Sequence, residues 1–338
     1  MTIAVTRRLA LTAEAGCVGR CDGICGSIVP RRNGMILVAG GTGFVGGAIV
    51  SELCKRGKKV AVLTRDPGRH KERFPNLNVA LLKGDVRDPA TLAGAMPGVE
   101  AVIGCQQFPN SPMEDRARRY TFEDIDAKGT ENLVRAATLA GSVKRYVYLS
   151  GAGASPDADR HWFRMKWRAE TAVRDSGFAF TIFRPSWVYG PEDRALNRFL
   201  RISRFLPFVP LIGNPGEQRL QPVFVEDVAR AVAEALEKKA ADGQTFEIGG
   251  PEVLTMSQVV RTALDVAGRK RALLPAPREV VKAAASLLRF VPGRPLTPDG
   301  VDFITMDALA DGRQVEKKLG VRMTPLKEAL AGYLGQRA

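Results

Sequence analysis

From Met35 to about residue 190, short apolar runs alternate with stretches whose apolar residues recur at helical spacing. MILVA, KVAVLT, NVALLKG, EAVIGC, KRYVYLS and FAFTIFR read as strands. Between them, FVGGAIVSELCKRG and DAKGTENLVRAATLAG place apolar residues on one helical face and end on glycine, the residue that most readily closes a helix. Strands this uniformly apolar must be covered on both sides. The pattern therefore predicts an α/β fold, a doubly wound parallel sheet with helices on each face.

After Tyr189 the rhythm changes. NRFLRISRFLPFVPLIGNPG is basic, apolar and proline-rich; the chain then returns with QPVFVEDVARAVAEALEKK and TFEIGG, and residues 251–338 alternate helical stretches with proline-rich turns. Residues 35–190, completed by 221–250, are expected to form the sheet domain. Residues 191–220 and 251–338 are expected to form a smaller, mainly C-terminal second domain for substrate or partner. It would close a cleft over the carboxyl ends of the strands, the edge where open α/β sheets bind ligands.

Composition narrows the setting. With 45% hydrophobic and 25% charged residues, the 338-residue chain reads as an ordinary folded protein. Arg or Lys interrupts every apolar run before the roughly 18 residues that a membrane span needs. The net charge of +14 suggests attraction to something anionic, be it a phosphorylated cofactor, an acidic partner or a lipid surface, but solvated surface is the plainer reading of these basic residues and the preferred one. The basic residues lack aromatic interleaving, so nucleic acid is not expected. Residues 1–34 carry five Arg against Glu14 and Asp22, which is +3 of the total and leaves +11 on the rest. They precede a natural start at Met35 and read as a disordered or mis-assigned leader, with an Arg-bearing organelle import sequence as the other reading. Cys17, Cys21 and Cys25 lie in this leader at a spacing that fits no common zinc or iron–sulfur pattern, and no metal is expected.

The chemistry starts with VAGGTGFVGGAI, where Gly40-x-x-Gly43-x-x-Gly46 joins a five-residue apolar strand to an amphipathic helix. Such glycines permit a tight turn, close approach of backbone to a pyrophosphate, and close packing of helix on strand. The anion then sits at the helix N-terminus among free N–H groups, so Gly40, Thr42, Gly43, Phe44, Val45 and Gly46 are candidate dinucleotide contacts. The second strand, KVAVLT, decides between cofactors, because a carboxylate at its end would accept from the ribose 2′-hydroxyl and repel a 2′-phosphate. Arg65 stands there and offers a planar fork to a phosphate. Asp66 is its rival for the ribose, and the chemistry favours NADP(H) over NAD(H). After the third strand, Asp85 and Val86 in KGDVRD are placed to meet the adenine, or else form a surface turn.

Together with GDVRD, KGTENLVRAA, YVYLS, Lys166 followed one turn on by Glu170, FRPSWVYGP and VFVEDVARAV, these residues resemble the extended and atypical short-chain dehydrogenase/reductases, whose fold is the Rossmann sheet. The resemblance covers essentially all of Met35 to about Gly250. TFEIGGPEVLTMSQVV, AGRKRALLPAP and VPGRPLTPDGVDFITMD are similar to the branch containing the NADPH-binding accessory subunit of respiratory complex I and its bacterial relatives. The resemblance implies a cofactor site that also takes in Cys105, Gln106, Ser150, Lys166, Pro185 and Val188.

Catalytic members of the family use a Tyr-x-x-x-Lys pair, the lysine binding the nicotinamide ribose and lowering the tyrosine pKa. Here Lys166 matches, but the position four residues earlier is Trp162, whose indole N–H is a donor without useful acidity. His161 lies about 100° away around the helix. Tyr189, expected near the nicotinamide, joins Ser150 and Ser155 as a candidate for a proton relay. The fourth strand runs into VIGCQQFPN, whose Gln106, Gln107 and Phe108 are bulkier than the small residues of many relatives and disfavour a nucleotide sugar. Cys105 has no base nearby in sequence and reads as a buried small residue rather than a nucleophile.

Three functions compete. The first is an NADP(H)-binding protein whose dinucleotide is mainly structural or regulatory, attached to a respiratory or other membrane-associated assembly, with NRFLRISRFLPFVPLI as a surface for membrane or partner or as a core-facing lid helix. The second is a soluble NADPH-dependent oxidoreductase of a quinone, enone or small carbonyl, whose product takes its proton from water. The third is a nucleotide-sugar epimerase or dehydratase. The expected location is cytoplasmic, peripheral to a membrane, or an organelle if the leader is an import sequence.

Overall fold

In the strand MILVA, alternate side chains leave the pleat on opposite faces, and each face finds its own helices. Ile36 and Val38 pack with Ile49, Leu53, Val228 and Val232 on one side. Leu37 and Ala39 pack with Leu133, Ala137, Ala169 and Val173 on the other. The computed structural model describes residues 34–108, 113–287 and 297–335; the leader and Cys17, Cys21 and Cys25 lie outside the described residues.

The chain alternates strand and helix at first: β1 (Met35–Ala39), α1 (Phe44–Lys55), β2 (Lys59–Thr64), β3 (Val79–Lys83), β4 (Val99–Gly104), α2 (Lys128–Ala140), β5 (Arg145–Leu149), α3 (His161–Arg174) and β6 (Ala179–Pro185). There follow β7 (Val188–Tyr189), α4 (Arg194–Phe205), β8 (Phe208–Ile212), β9 (Arg219–Leu220), β10 (Val223–Phe224), α5 (Val225–Glu237) and β11 (Gln244–Ile248). The last part holds β12 (Leu254–Thr255), α6 (Met256–Val266), β13 (Ala272–Ala276), α7 (Arg278–Leu287), α8 (Pro298–Thr305), α9 (Arg313–Leu319) and α10 (Leu326–Leu334). Seven strands form one sheet in the order β3, β2, β1, β4, β5, β6, β11, and every pairing in it is parallel. The order reverses between β1 and β4, which opens a crevice at their carboxyl ends. The doubly wound α/β expectation is met, with TFEIGG supplying the seventh strand.

A separate apolar cluster lies beyond the sheet, built from Leu196 and Leu200 of α4, Val209 and Leu211 of β8, and Val259 and Leu330 of α6 and α10. Asp193 starts α4 by accepting from the amides of Ala195 and Leu196 at 2.9 and 2.8 Å, satisfying two of the donors a helix start leaves free. Leu196, Leu200 and Ser203 are buried while Arg198, Arg201 and Arg204 are exposed, so the arginine-rich stretch is an amphipathic helix with a core-facing side. Two fully buried carboxylates fasten the layers. Glu170 of α3 receives the Arg184 fork from β6 at 2.8 and 2.7 Å, and Asp227 of α5 accepts from the Thr324 amide at 2.6 Å, fixing the approach to α10.

Helix α8 is held by charge. Asp302 accepts from Arg278 of α7 at 2.6 Å and from Arg160, just before α3, at 3.2 Å, and pairs with Lys282 at 3.1 Å. The Arg278 hydrogen bond holds its carboxyl down at about 2. A depressed folded pKa contributes stability that is present above the unfolded value near ~3.9 and lost as pH falls toward the folded one. Hydrogen exchange of the α8 amides should therefore accelerate as pH drops from about 4 to 2, after correction for intrinsic exchange. Asp302→Asn should show the faster exchange already at neutral pH, and no pH step of its own.

Candidate functional site

Six of the seven strands of the sheet, β1 to β6, hand the chain to the walls of a single cleft. Gly40 follows β1, Arg65 follows β2, Asp85 comes just after β3, Cys105 and Gln106 follow β4, Ser150 follows β5 and Pro185 ends β6; all of them line it, as do Thr42, Gly43, Phe44, Val45, Gly46, Val86, Lys166 and Val188. The structure thus brings fourteen of the fifteen expected cofactor contacts into view from the strands and the loop, and Lys166 completes them from α3. The cleft measures about 1920 Å³.

The glycine loop is tight for stated reasons. Gly40 has φ +84°, and a Cβ there would meet the Cys105 carbonyl at 2.6 Å; a Cβ on Gly46 would meet the Gly40 oxygen at 2.2 Å. Gly43 stands at the start of α1 with no side-chain cap, so the first amides of that helix are open to an anion. Cys105 is fastened to the same loop, its amide and thiol both donating to the Ala39 oxygen at 2.9 and 3.0 Å. Burial pushes its thiol up to about 12, which removes it as a nucleophile at neutral pH.

At the end of β2, Asp66 accepts from the Arg69 amide at 3.1 Å and so caps its own turn. Arg65 is exposed and lies 5.9 Å from the Tyr120 ring centroid. Arg87 lies on Tyr120 as well, at 5.7 Å, and grips both oxygens of Asp85 at 2.6 to 3.1 Å. The Asp85 carboxylate, expected at the adenine, is therefore already engaged by its own chain. Burial raises its pKa, but the Arg87 hydrogen bonds outweigh that and hold it below the usual range.

Lining the cleft from α3, Lys166 is buried and its ammonium lies 2.7 Å from Asp126, which has no exposure at all. Asp126 sits in a π-helical turn, Glu123–Ala127, that runs into α2; such wide turns often mark functional positions. Its other oxygen accepts from the Phe108 amide at 2.9 Å, and its backbone oxygen accepts from Thr130, which in turn accepts from Gln106 at 2.9 Å. Burial alone would lower the Lys166 pKa, but attraction to Asp126 and to the Tyr148 phenol outweighs it and holds the ammonium above its ordinary range. Burial pushes Tyr148 up to about 12. Sequence reasoning missed Asp126, although a carboxylate within DAKGTENLV at an inward helical position was a signal. It also missed Tyr120 and Arg87.

Trp162, one turn before Lys166, is buried among Phe108, Phe122 and Ile125, with its ring 5.8 Å from that of Phe303 on α8. His161 lies elsewhere, 3.3 Å from Glu114. Tyr189 does not reach the cleft: it is fully buried in the outer apolar cluster beside Phe224, and burial drives its phenol well above the ordinary range. That placement corrects the expectation of a relay through Tyr189, because β7 pairs with β10 and faces the side chain into that cluster. Ser155 does not line the cleft either.

A parallel sheet that presents open helix-start amides and a buried lysine along one crevice defines a dinucleotide-binding Rossmann protein. Residues 40–239 match the NAD(P)H-binding family, and the chain belongs to it as an atypical short-chain dehydrogenase/reductase. It is 34% identical over 254 residues to the mitochondrial NADH dehydrogenase (ubiquinone) 1 alpha subcomplex subunit 9 of Arabidopsis thaliana, a match that covers 74% of this chain and 62%, less than two thirds, of the plant protein. The Rattus norvegicus protein of that name is 30% identical over 296 residues, 86% of this chain and 77% of that one. The structure of the Thermus thermophilus UDP-glucose 4-epimerase in complex with NAD superimposes with a TM-score of 0.69 over 89% of this chain and 98% of that one, at 22% identity, a likeness of fold.

The buried pair makes a measurable prediction. Lys166→Met leaves Asp126 without its cation and Asp126→Leu leaves Lys166 without its anion, so each should cost about 3 kcal/mol of stability in urea unfolding. The double variant should cost clearly less than the two together, because no charge is left unpaired. A raised lysine pKa contributes fully below its unfolded value near ~10.4 and is lost only as pH rises through the higher folded value. Stability of the unsubstituted protein should accordingly show no step from this group across neutral pH.

Proposed function

We propose that this chain binds NADP(H) and holds it mainly as a structural or regulatory element of a respiratory, membrane-associated assembly. The observation that carries the reading is the coupling of an intact glycine loop to a lysine paired with Asp126, with Trp162 where catalytic family members have tyrosine. An indole N–H donates a hydrogen bond but transfers no proton, and Lys166, held above its ordinary range, is a poor acid. What these residues do is bind and orient: α1 offers its amides to the pyrophosphate, and Lys166 offers its remaining donors to the nicotinamide ribose. The bound dinucleotide would supply or accept hydride if an acceptor reached it.

NADP(H) is favoured over NAD(H) by the end of β2. Asp66 spends an oxygen on its own turn, Arg65 has no carboxylate in hydrogen-bond contact among the described residues, and Arg69 lines the same cleft. The assembly is suggested by the relatives named as NADH dehydrogenase subunits. Among the described residues no helix is long and apolar enough to cross a membrane, so attachment would be peripheral. The exposed arginines of α4, with Phe205 at its tip, offer a cationic face for a partner. A second reading, reduction of a quinone, enone or small carbonyl, draws on a cleft far roomier than a dinucleotide alone requires.

Isothermal titration should show NADPH binding at least about tenfold more tightly than NADH, since a 2′-phosphate gains a charge-assisted contact worth roughly 1.5–3 kcal/mol. Arg65→Ala should weaken NADPH and leave NADH unchanged. Equal affinities would remove the NADP(H) preference, and acceptor-dependent NADPH oxidation would move the protein to the second reading.

A further inference from the structure

The cleft does not end at Lys166. Its volume of about 1920 Å³ is about twice the upper end of the roughly 300–1,000 Å³ that holds a drug-sized ligand. The part beyond Trp162 is walled by Phe199 and Ile202 of α4, Leu211 and Ile212 of β8, and Phe303 and Ile304 of α8. These six side chains come from three elements and all are apolar. Phe303 and Ile304 remain 40% and 38% exposed, so α8 presents apolar surface that the other described residues leave uncovered.

The polar groups on this wall are committed elsewhere. Gln218 donates to the backbone oxygens of Ile304 and Met306, both at 2.8 Å. Arg219 grips Asp307 at 3.0 and 3.1 Å. A hydroxyl-rich ligand would find few partners here.

We infer that the cleft beyond the dinucleotide takes an elongated apolar molecule, its chain along α4, β8 and α8. This rests on the dinucleotide occupying the glycine-loop end. Two sources share the chemistry: a quinone bearing a long alkyl or isoprenoid tail, and a fatty acyl compound. The anionic head of a free fatty acid would favour the rim arginines Arg194 and Arg198, which line the cleft from the first turns of α4.

The test is isothermal titration of the full chain, saturated with NADPH, with benzoquinones bearing methyl, butyl and decyl tails, and separately with butanoate and dodecanoate. Affinity should rise by about tenfold or more from the butyl to the decyl quinone, because each buried methylene adds favourable transfer free energy. Phe303→Asp and, on a different element, Ile202→Asp should each erase that gain while leaving NADPH affinity as it was. A gain confined to the quinone series identifies the quinone source, and a preference for dodecanoate that falls with Arg198→Ala identifies the acyl source. Chain-length-independent binding, a gain that survives both aspartate variants, or tighter binding of UDP-glucose than of any tailed probe would overturn the inference. If NADPH itself does not bind but the chain-length gain persists without it, the dinucleotide reading falls and the apolar chamber stands.

Discussion

A lysine and an aspartate, both withdrawn from water, hold each other at 2.7 Å, and the cleft is organised around that contact. A lone buried charge of either sign is strongly unfavourable, so neither α3 nor the turn before α2 can take its place without the other. The pair also recruits the chain after β4, because the second Asp126 oxygen accepts from Phe108 and its backbone oxygen is tied through Thr130 to Gln106. Three segments distant in sequence are thereby fixed to one another at the base of the site. The ammonium of this cleft-lining lysine is placed by electrostatics as much as by packing.

Around this point the sheet supplies position and the outer elements supply enclosure. The glycine loop lets α1 begin almost in contact with β1 and β4, leaving uncapped amides at the crevice mouth. On the far side, the three cations gathered at Asp302 draw α7, α8 and the start of α3 together, and so bring Phe303 against Trp162. Charge thus holds in place an apolar wall whose exposed residues would not hold themselves. In the proposed reading, the same arrangement that keeps a dinucleotide in place withholds a proton donor from it.

Much of this was legible in the residues alone. Six apolar runs became six parallel strands within a residue or two of their expected limits, because an alternating pleat buried on both faces leaves a local signature. The glycine loop was legible for the same reason: the demand for small residues is met within seven positions. Tyr189 misled because FRPSWVYGP places it close in sequence to a cleft-lining stretch, whereas a two-residue strand turns its side chain away into the outer cluster. Asp85 lines the cleft, and its carboxylate is taken by Arg87, two residues on in the same KGDVRD, a local pairing that the motif carried and the reading passed over.

What the sequence by itself determined is whatever depends on neighbours along the chain: strand and helix periodicity, the phosphate loop, an arginine rather than a carboxylate after the second strand, and tryptophan one turn before lysine. What only the tertiary structure decided is which distant side chains meet. Lys166 with Asp126, Trp162 with Phe303, Arg160 with Asp302, and Arg65 with Tyr120 are separated by 40 or more residues in every case, and no periodicity encodes them. Their partners are chosen by the cost of leaving charge or apolar surface unmatched once the sheet has brought the segments together.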